Sequence, residues 1–313
     1  MKRFISSLLL FSLCMYAEEE SLILNPVEPI EIEKIEEIEI IPAKEFSKSP
    51  AKKLLIAVPT YNEKETIEKL YNQLKQFAPD ADILIIDDNS PDDTGAIIDE
   101  LALKDSQVKT IHRAGKLGLG TAQKASYEYA REHNYDFLLT MDADGTHDPK
   151  YIPEMRAALT SDFDIIIGSR YAEGAEMQNW GAFRLALTKF WRGCLKLGTG
   201  MTCDSTGAYR LYRVEVLDPE LYNSITSPGF SFGLEFLFKL HQAGAQIGQV
   251  GIIASGRAEG AGESKLSRTE MWQMVKSYMH LLRLRMFTKS PKKKIRVQET
   301  QPAPEHEIEI ITI

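Results

Sequence analysis

Cysteine is scarce: Cys14, Cys194 and Cys203 are the only three in 313 residues, and their spacing fits neither a disulfide framework nor a zinc site. No apolar run approaches the roughly 20 residues that a membrane-spanning helix needs. The body of the chain is therefore read as soluble, or as resting on a membrane rather than crossing it. The dinucleotide fingerprint G-x-G-x-x-G is also missing. The glycine-rich stretch Gly115-Lys116-Leu117-Gly118-Leu119-Gly120 has a different spacing, which removes the main support for a dehydrogenase.

What is present is enough for a core: 43% of the residues are hydrophobic, sufficient at this length for one large α/β domain or two small ones. The formal charge of −8 is unevenly spread. Residues 18–41 hold nine acids against one Lys, and residues 299–313 hold four acids and no base. Those two stretches carry −12 together, so the remainder carries about +4. An anionic substrate or an anionic membrane surface is compatible with that body, and no nucleic-acid partner is expected.

Four segments follow. Residues 1–17, with Lys2 and Arg3 before an apolar stretch and Ala17 before Glu18, have the layout of a secretory signal. A short membrane-surface anchor and a misplaced start compete with that reading. Residues 18–49 alternate Glu with Ile, a composition that buries no core by itself, and read as a disordered or loosely ordered linker. Residues 50–288 form the globular domain. Residues 289–313 form a tail that is first basic, through Lys289, Lys292, Lys293, Lys294 and Arg296, and then acidic.

Within the domain, short β-branched runs at 54–58, 83–86, 108–111, 137–141 and 165–167 alternate with helix-length amphipathic runs at 65–77, 94–103, 119–134 and 149–159. That order predicts an α/β fold, a mostly parallel central sheet with helices on both faces. Ligands in such sheets bind beyond the carboxyl ends of the strands, where the polar motifs fall. Arg268–Phe287 reads as one helix with Met271, Trp272, Val275, Tyr278, Met279, Leu282 and Met286 on an apolar stripe, for which core packing is the default.

After the first strand, Pro59 is expected to stop the ladder and deliver Tyr61, Asn62 and Glu63 into the cleft, with the Tyr61 ring available to stack on a base. The second strand is followed by Asp87-Asp88-Asn89-Ser90-Pro91-Asp92-Asp93-Thr94-Gly95, by itself a turn and helix cap. Arg113 to Thr121 follows the third, by itself a flexible glycine loop. The fourth ends in Met141-Asp142-Ala143-Asp144-Gly145-Thr146-His147-Asp148-Pro149. Two carboxylates one residue apart at a strand end suit a hard divalent cation that also holds a diphosphate. A polar turn capped by Asp148 ahead of Pro149 explains the same residues without a function, but their place after the fourth repeat favours the cation. Glu235 lies in the apolar run 230–240, where a carboxylate needs a partner or a ligand. An ion pair at the core edge is its plain alternative.

These motifs in order, with Gly168-Ser169-Arg170-Tyr171, Asp204-Ser205-Thr206-Gly207-Ala208-Tyr209-Arg210, Glu235 and Gly262-Glu263-Ser264-Lys265, cover roughly two thirds of the chain. The set resembles glycosyltransferase family 2, which has the GT-A (nucleotide-diphospho-sugar transferase) fold, and within it the dolichol-phosphate mannosyltransferases. The resemblance implies mannose moved from GDP-mannose to a polyprenyl phosphate with inversion at the anomeric carbon, and Mg2+ or Mn2+ held by Asp142 and Asp144. It implies nucleotide-sugar contacts at Pro59, Tyr61, Asn62, Glu63, Asp87, Asp88, Lys116, Asp142, Arg170 and Arg210. Asp144, Glu235, Arg257 and Lys265 form the implied catalytic group, and Arg257, Ser264 and Lys265 the implied acceptor-phosphate site. The chain departs from the family pattern in three places: Ala258 to Ala261 lengthen the stretch after Arg257, Thr146 replaces a Gln seen in some relatives, and Gly233 stands where a Gln is common.

The chemistry agrees with a phosphate acceptor. A hydroxyl acceptor needs a general base, whereas a phosphate monoester, with a second pKa of about 6, is already largely dianionic at neutral pH. The site then has to neutralise and aim two anionic groups. A UDP-glucose donor, a glycan hydroxyl acceptor and a nucleotide-sugar binder without turnover are the alternatives; the joint presence of Asp142, Asp144, Glu235 and Lys265 argues against the last. Because nucleotide sugars are a cytoplasmic supply, the protein is expected at the cytoplasmic face of a membrane, its basic run after residue 288 facing anionic headgroups.

Overall fold

The computed structural model describes residues 52–178, 180–227, 229–254 and 268–287. The segments 1–17, 18–49 and 289–313, together with Arg257, Ser264 and Lys265, lie outside the described residues.

Strands β1 (Leu54–Thr60), β2 (Asp82–Asp87), β3 (Val108–His112), β4 (Phe137–Thr140) and β5 (Ile165–Ser169) form where the β-branched runs predict them. Between them lie α1 (Ile67–Phe77), α2 (Thr94–Lys104), α3 (Leu119–Glu132) and, after a 3-10 turn at Pro149–Tyr151, α4 (Ile152–Ala158). The second half adds β6 (Glu176–Met177), α5 (Ala182–Thr199), β7 (Arg210–Arg213), α6 (Pro219–Asn223), α7 (Phe230–Ala243), β8 (Ile247–Gly251), β9 (Ile253–Ala254) and α8 (Arg268–Phe287).

The main sheet runs β3-β2-β1-β4-β7-β5-β8, and β6 pairs with β9 in a small second sheet. Every pair in the main sheet is parallel except those of β7, which is antiparallel to both β4 and β5. Arg210, the first residue of β7, sits beside Thr140 and Ile167. An antiparallel strand therefore enters the sheet at the edge where its parallel neighbours leave it, and the loop before β7 joins the loops after β4 and β5.

Pro59 does not stop β1, contrary to expectation: the strand continues to Thr60, pairing Pro59 with Ile86 and Thr60 with Asp87. The reason is the alternation of backbone groups. Thr60 offers its carbonyl to Asp88 on the β2 side, whereas Ala57 faces β4 and accepts from Met141. Pro59 shares the orientation of Ala57, and pairing with β4 ends at Ala57. Its missing N–H therefore leaves no gap in the β2 ladder.

One face of the sheet buries Leu54, Ile56, Val58, Ile83 and Ile85 against Leu70 and Leu74 of α1, Ile98 of α2 and Met155 of α4. Across the other face, α3 and α7 bring Tyr127 and Phe236 against Tyr212 of β7, with Phe232 packed on both and the Tyr127 and Phe236 rings 4.9 Å apart. Helix α8 spans the predicted range and packs on α5 and α7. Its most buried described residues are Ser277, Tyr278 and Leu281, with Met279 and Leu282 half-buried, so the inward face is rotated slightly from the predicted stripe. Trp191 of α5 meets Tyr278 edge-on at 6.2 Å, and Arg285 donates to the carbonyls of Leu197 and Gly198 at the end of α5.

Candidate active site

The carboxyl edge of β1 and β2 is organised by buried carboxylates. Asp87, 2% exposed, accepts from the Thr60 hydroxyl at 3.1 Å, the Ser90 N–H at 2.9 Å and the Ser90 hydroxyl at 2.5 Å. Ser90 Oγ in turn accepts the Asn62 N–H at 3.0 Å. Asn62 and Asn89 both adopt positive φ, 60° and 57°, a conformation that Asn tolerates better than most residues. The Glu63 N–H donates to Thr94 Oγ1 at 3.0 Å, and Glu63 Oε2 accepts from the Thr66 hydroxyl at 2.7 Å. The loop after β1 is thus tied to the loop after β2 at three successive positions, because the Lys64 N–H also donates to Asp92.

Asp88 reaches the other way. Its carboxylate pairs with Arg113 and accepts the Gly118 N–H at 2.8 Å. Arg113 also donates to the Gly118 carbonyl and to the Thr121 hydroxyl. The glycine segment expected to be a flexible loop is therefore pinned at both ends, with Gly118 at φ 91° opening α3. Lys116, exposed between those anchors, sets its ammonium 3.8 Å from the centre of the Tyr61 ring, a cation–π contact. The residues expected to hold a nucleotide, Tyr61, Asn62, Glu63, Asp87, Asp88 and Lys116, do converge on one edge. Asp87 and Asp88, however, spend their described hydrogen bonds on the scaffold of that edge.

Past β4 the chain turns back on itself. Met141 N–H makes the last bond to β1, and the next donor, the Asp142 N–H, is taken by His147 Nδ1 at 2.9 Å. Gly145, at φ 78°, makes that return possible. Asp144, 9% exposed, accepts from the Thr146 N–H at 3.1 Å and the Thr146 hydroxyl at 2.6 Å. The His147 ring stacks on Tyr209, centroids 5.1 Å apart, and the Tyr209 hydroxyl donates to the Asp148 carbonyl at 3.1 Å. Asp148 caps the following 3-10 turn through the Lys150 N–H, with Pro149 at its first position, as expected. A narrow cleft beside Asp142 is lined by Pro59, Leu119, Gln123, Thr140 and Ala208.

Arg170, one residue past β5, is clamped by Asp204. Its Nε and Nη2 donate to the two carboxylate oxygens at 2.8 Å each, its own N–H donates at 3.1 Å, and Nη2 also reaches Thr206 Oγ1 at 2.6 Å. Burial by itself pulls the Arg170 pKa down, but the Asp204 carboxylate, helped by Asp142, raises it above the ordinary guanidinium value. Burial likewise pushes Asp204 up, and Arg170 reverses this, leaving Asp204 below the usual carboxylate range. Arg170 is therefore a fixed cation within electrostatic reach of Asp142. Arg210, 3% exposed, donates instead to the carbonyls of Gly233 at 2.6 Å and Ser205 at 2.8 Å, joining β7 to α7 and to its own preceding loop.

Glu235 is 1% exposed. Its carboxylate accepts the Ser227 N–H at 3.0 Å and pairs with Lys239 at 3.0 Å and with His280 of α8 at 3.4 Å. The partners described for it are those of the ion-pair alternative. Asp204, His147, Tyr209 and Arg113 are the supporting residues that the sequence named only as members of motifs, with no role of their own. The Asp204 motif was visible as a unit, but nothing local names Arg170, 34 positions away, as its partner.

Residues 55–219 match the family described as Glycosyl transferase family 2. The chain is 36% identical over 221 residues to the polyprenol monophosphomannose synthase of Mycolicibacterium smegmatis, covering 70% of this chain and 82% of that protein. It is 37% identical over 219 residues to the undecaprenyl-phosphate mannosyltransferase of Micrococcus luteus, covering 69% and 88%. Among solved structures, the glucosyl-3-phosphoglycerate synthase of Mycobacterium tuberculosis, crystallised with Mn2+, UDP and phosphoglyceric acid, aligns with a TM-score of 0.53 at 15% identity over 74% of this chain and 79% of that one. At that identity the likeness is one of fold.

Proposed function

The chain belongs to glycosyltransferase family 2 and has the GT-A fold, and from that premise we propose that it moves mannose from GDP-mannose to a polyprenyl phosphate with inversion at the anomeric carbon. The observation that carries the donor half is the gathering of Asp142, Asp144 and the fixed Arg170 cation beyond β4 and β5. The acceptor half rests on the two relatives named for polyprenyl-phosphate mannose transfer.

Mg2+ or Mn2+ fits the donor set. Asp142 and Asp144 offer hard carboxylate oxygens, and no cluster of three or more His, Cys, Asp or Glu ligands exists among the described residues. Mg2+ is commonly held by one or two carboxylates together with substrate phosphates, which is the kind of donor that this pair offers. When bound, it would offset the charge that develops on the leaving diphosphate.

The chain's own residues do the rest. Tyr61 offers a ring face for the base, and Lys116, now over that ring, is placed to follow the phosphates. Arg170 contributes a cation that needs no reorganisation, since Asp204 already holds it. A dianionic acceptor phosphate needs no general base, so Arg257, Ser264 and Lys265 are assigned to aiming it. Glu235 is assigned to holding α7 against α8 through His280. The enzyme is taken to work at the cytoplasmic face of a membrane, and no helix of the described residues is long and apolar enough to cross one.

The test is transfer of labelled sugar from GDP-mannose and, in parallel, UDP-glucose into organic-extractable polyprenyl phosphate, with and without Mn2+ or Mg2+. Metal-dependent labelling from GDP-mannose, reduced on the order of a hundredfold or more in Asp144→Ala, is the expected result. Labelling from UDP-glucose alone would overturn the donor, and sugar found only on a glycan hydroxyl would overturn the acceptor.

A further inference from the structure

The loop that carries Asp142 and Asp144 leaves the sheet one residue after β4 ends, and its first backbone donor beyond the β1 ladder is the Asp142 N–H. At a largely buried sheet edge such a donor must find an acceptor or forfeit its hydrogen bond with water. The acceptor is a side chain five residues on, His147 Nδ1, at 2.9 Å. A backbone N–H can only donate, so Nδ1 must carry the lone pair and Nε2 the proton. His147 is 9% exposed, and its ring is held flat against Tyr209, whose hydroxyl fastens the next residue through the Asp148 carbonyl. His147 is thus fixed on its ring face by the loop before β7 and on its edge by Asp142.

From this we infer that His147 is a positioning residue: its Nδ1 lone pair sets the backbone at Asp142, and so aims the Asp142 carboxylate at the cation that it shares with Asp144. The inference rests on the assignment of those two carboxylates to a metal. A polar turn needs no imidazole for its own sake, because Thr146 already closes it on Asp144 and Asp148 already caps the helix that follows. What His147 adds is control of Asp142, the residue bearing the more exposed of the two carboxylates: Nδ1 fixes its backbone plane and lies 3.7 Å from its carboxylate. Groups that orient metal ligands typically alter metal affinity about 10- to 100-fold when they are removed.

Three substitutions separate the lone pair from the ring. His147→Asn keeps an acceptor oxygen the same number of bonds from Cβ as Nδ1. His147→Gln moves its acceptor one bond further out, and His147→Phe keeps the stack on Tyr209 but has no acceptor. Mn2+ binding to the full chain in the presence of GDP, followed by electron paramagnetic resonance of the free ion, should weaken about 10- to 100-fold in His147→Phe and His147→Gln. The half-saturating Mn2+ for sugar transfer should rise in parallel. His147→Asn should recover both to within about threefold of wild type, and 15N spectra of the wild-type imidazole should show the Nε2–H tautomer. Wild-type Mn2+ binding in folded His147→Phe, an Asn variant no better than Gln, or an Nδ1–H tautomer would each overturn the inference. If His147→Phe fails to fold, the Asn and Gln pair still decides it. Asp144→Ala, measured alongside, keeps the two claims apart. Binding lost there but kept in the His147 variants removes only the role of His147, whereas binding kept in Asp144→Ala removes the metal assignment on which that role depends.

Discussion

Asp204 holds a negative charge almost wholly out of water, and the fork of Arg170 donors meets both of its oxygens. The arrangement is worth less as attraction than as matched burial, because each charge left alone would face a desolvation cost of several kcal/mol. Asp204→Asn keeps the shape but removes the charge, leaving the Arg170 guanidinium without its main counter-charge. It should cost about 3–5 kcal/mol in urea unfolding, with a loss of transfer activity larger than the fraction unfolded explains. A variant as stable as wild type would show that Arg170 finds other compensation. His147 and Asp142 form a smaller case of the same kind, in which a side chain's value lies in the one partner that the fold gives it.

At the scale of elements, two glycines inside helices predict opposite outcomes for the same change. A Cβ on Gly120 of α3 would lie 2.7 Å from the Cβ of Phe232 and 3.1 Å from the Gly229 carbonyl, so α3 and α7 would have to separate. Overpacking of that kind costs about 1–3 kcal/mol, which outweighs the roughly 1 kcal/mol that Ala gains over Gly in a helix. Gly193 of α5 is exposed and would meet nothing within 4 Å. Gly120→Ala is therefore expected to lower the melting temperature and Gly193→Ala to raise it, by the propensity difference alone. Equal shifts of one sign in calorimetry would refute the close approach of α3 to α7. The glycine segment ahead of α3 teaches a related lesson. Its composition reads as mobility, yet Asp88 and Arg113 pin it: Gly118, at φ 91°, adopts a backbone conformation that side chains rarely tolerate and gives its N–H to the Asp88 carboxylate.

For the whole molecule, the titrating groups set the response to acid. Asp80, hydrogen-bonded to Arg156, and Asp105, bonded to the Gln107 N–H, titrate below the usual carboxylate range. Asp204 and Glu235 do so as well, where burial is outweighed by their partners. A folded pKa below the unfolded one means stability that is present above the unfolded value and lost as pH falls through the folded one. His241 adds a term of its own: burial lowers its pKa from 6.5, so the unfolded chain takes up that proton first and stability begins to slip below about pH 6.5. The urea midpoint should accordingly be level from pH 8 to 7, decline gently below about pH 6.5 and fall steeply below about pH 4, the gentle phase becoming shallower in His241→Gln. A midpoint that rises on acidification would contradict this. The sequence by itself determined the first five strands, the helices between them and the polar motifs at the strand ends, because hydrophobic period and turn residues act over a few positions. It also determined the transferase family, through motif order. Tertiary structure alone decided that β7 runs antiparallel between β4 and β5, since Arg210 to Arg213 is too short and too charged to announce a central strand. It decided that β1 runs on through Pro59, which depends on where pairing with β4 ends. It also chose the distant partners of the buried charges, Asp204 for Arg170 and His280 for Glu235. Periodicity is a local property of the chain, whereas the partner of a buried polar group is settled by contacts between residues far apart in sequence.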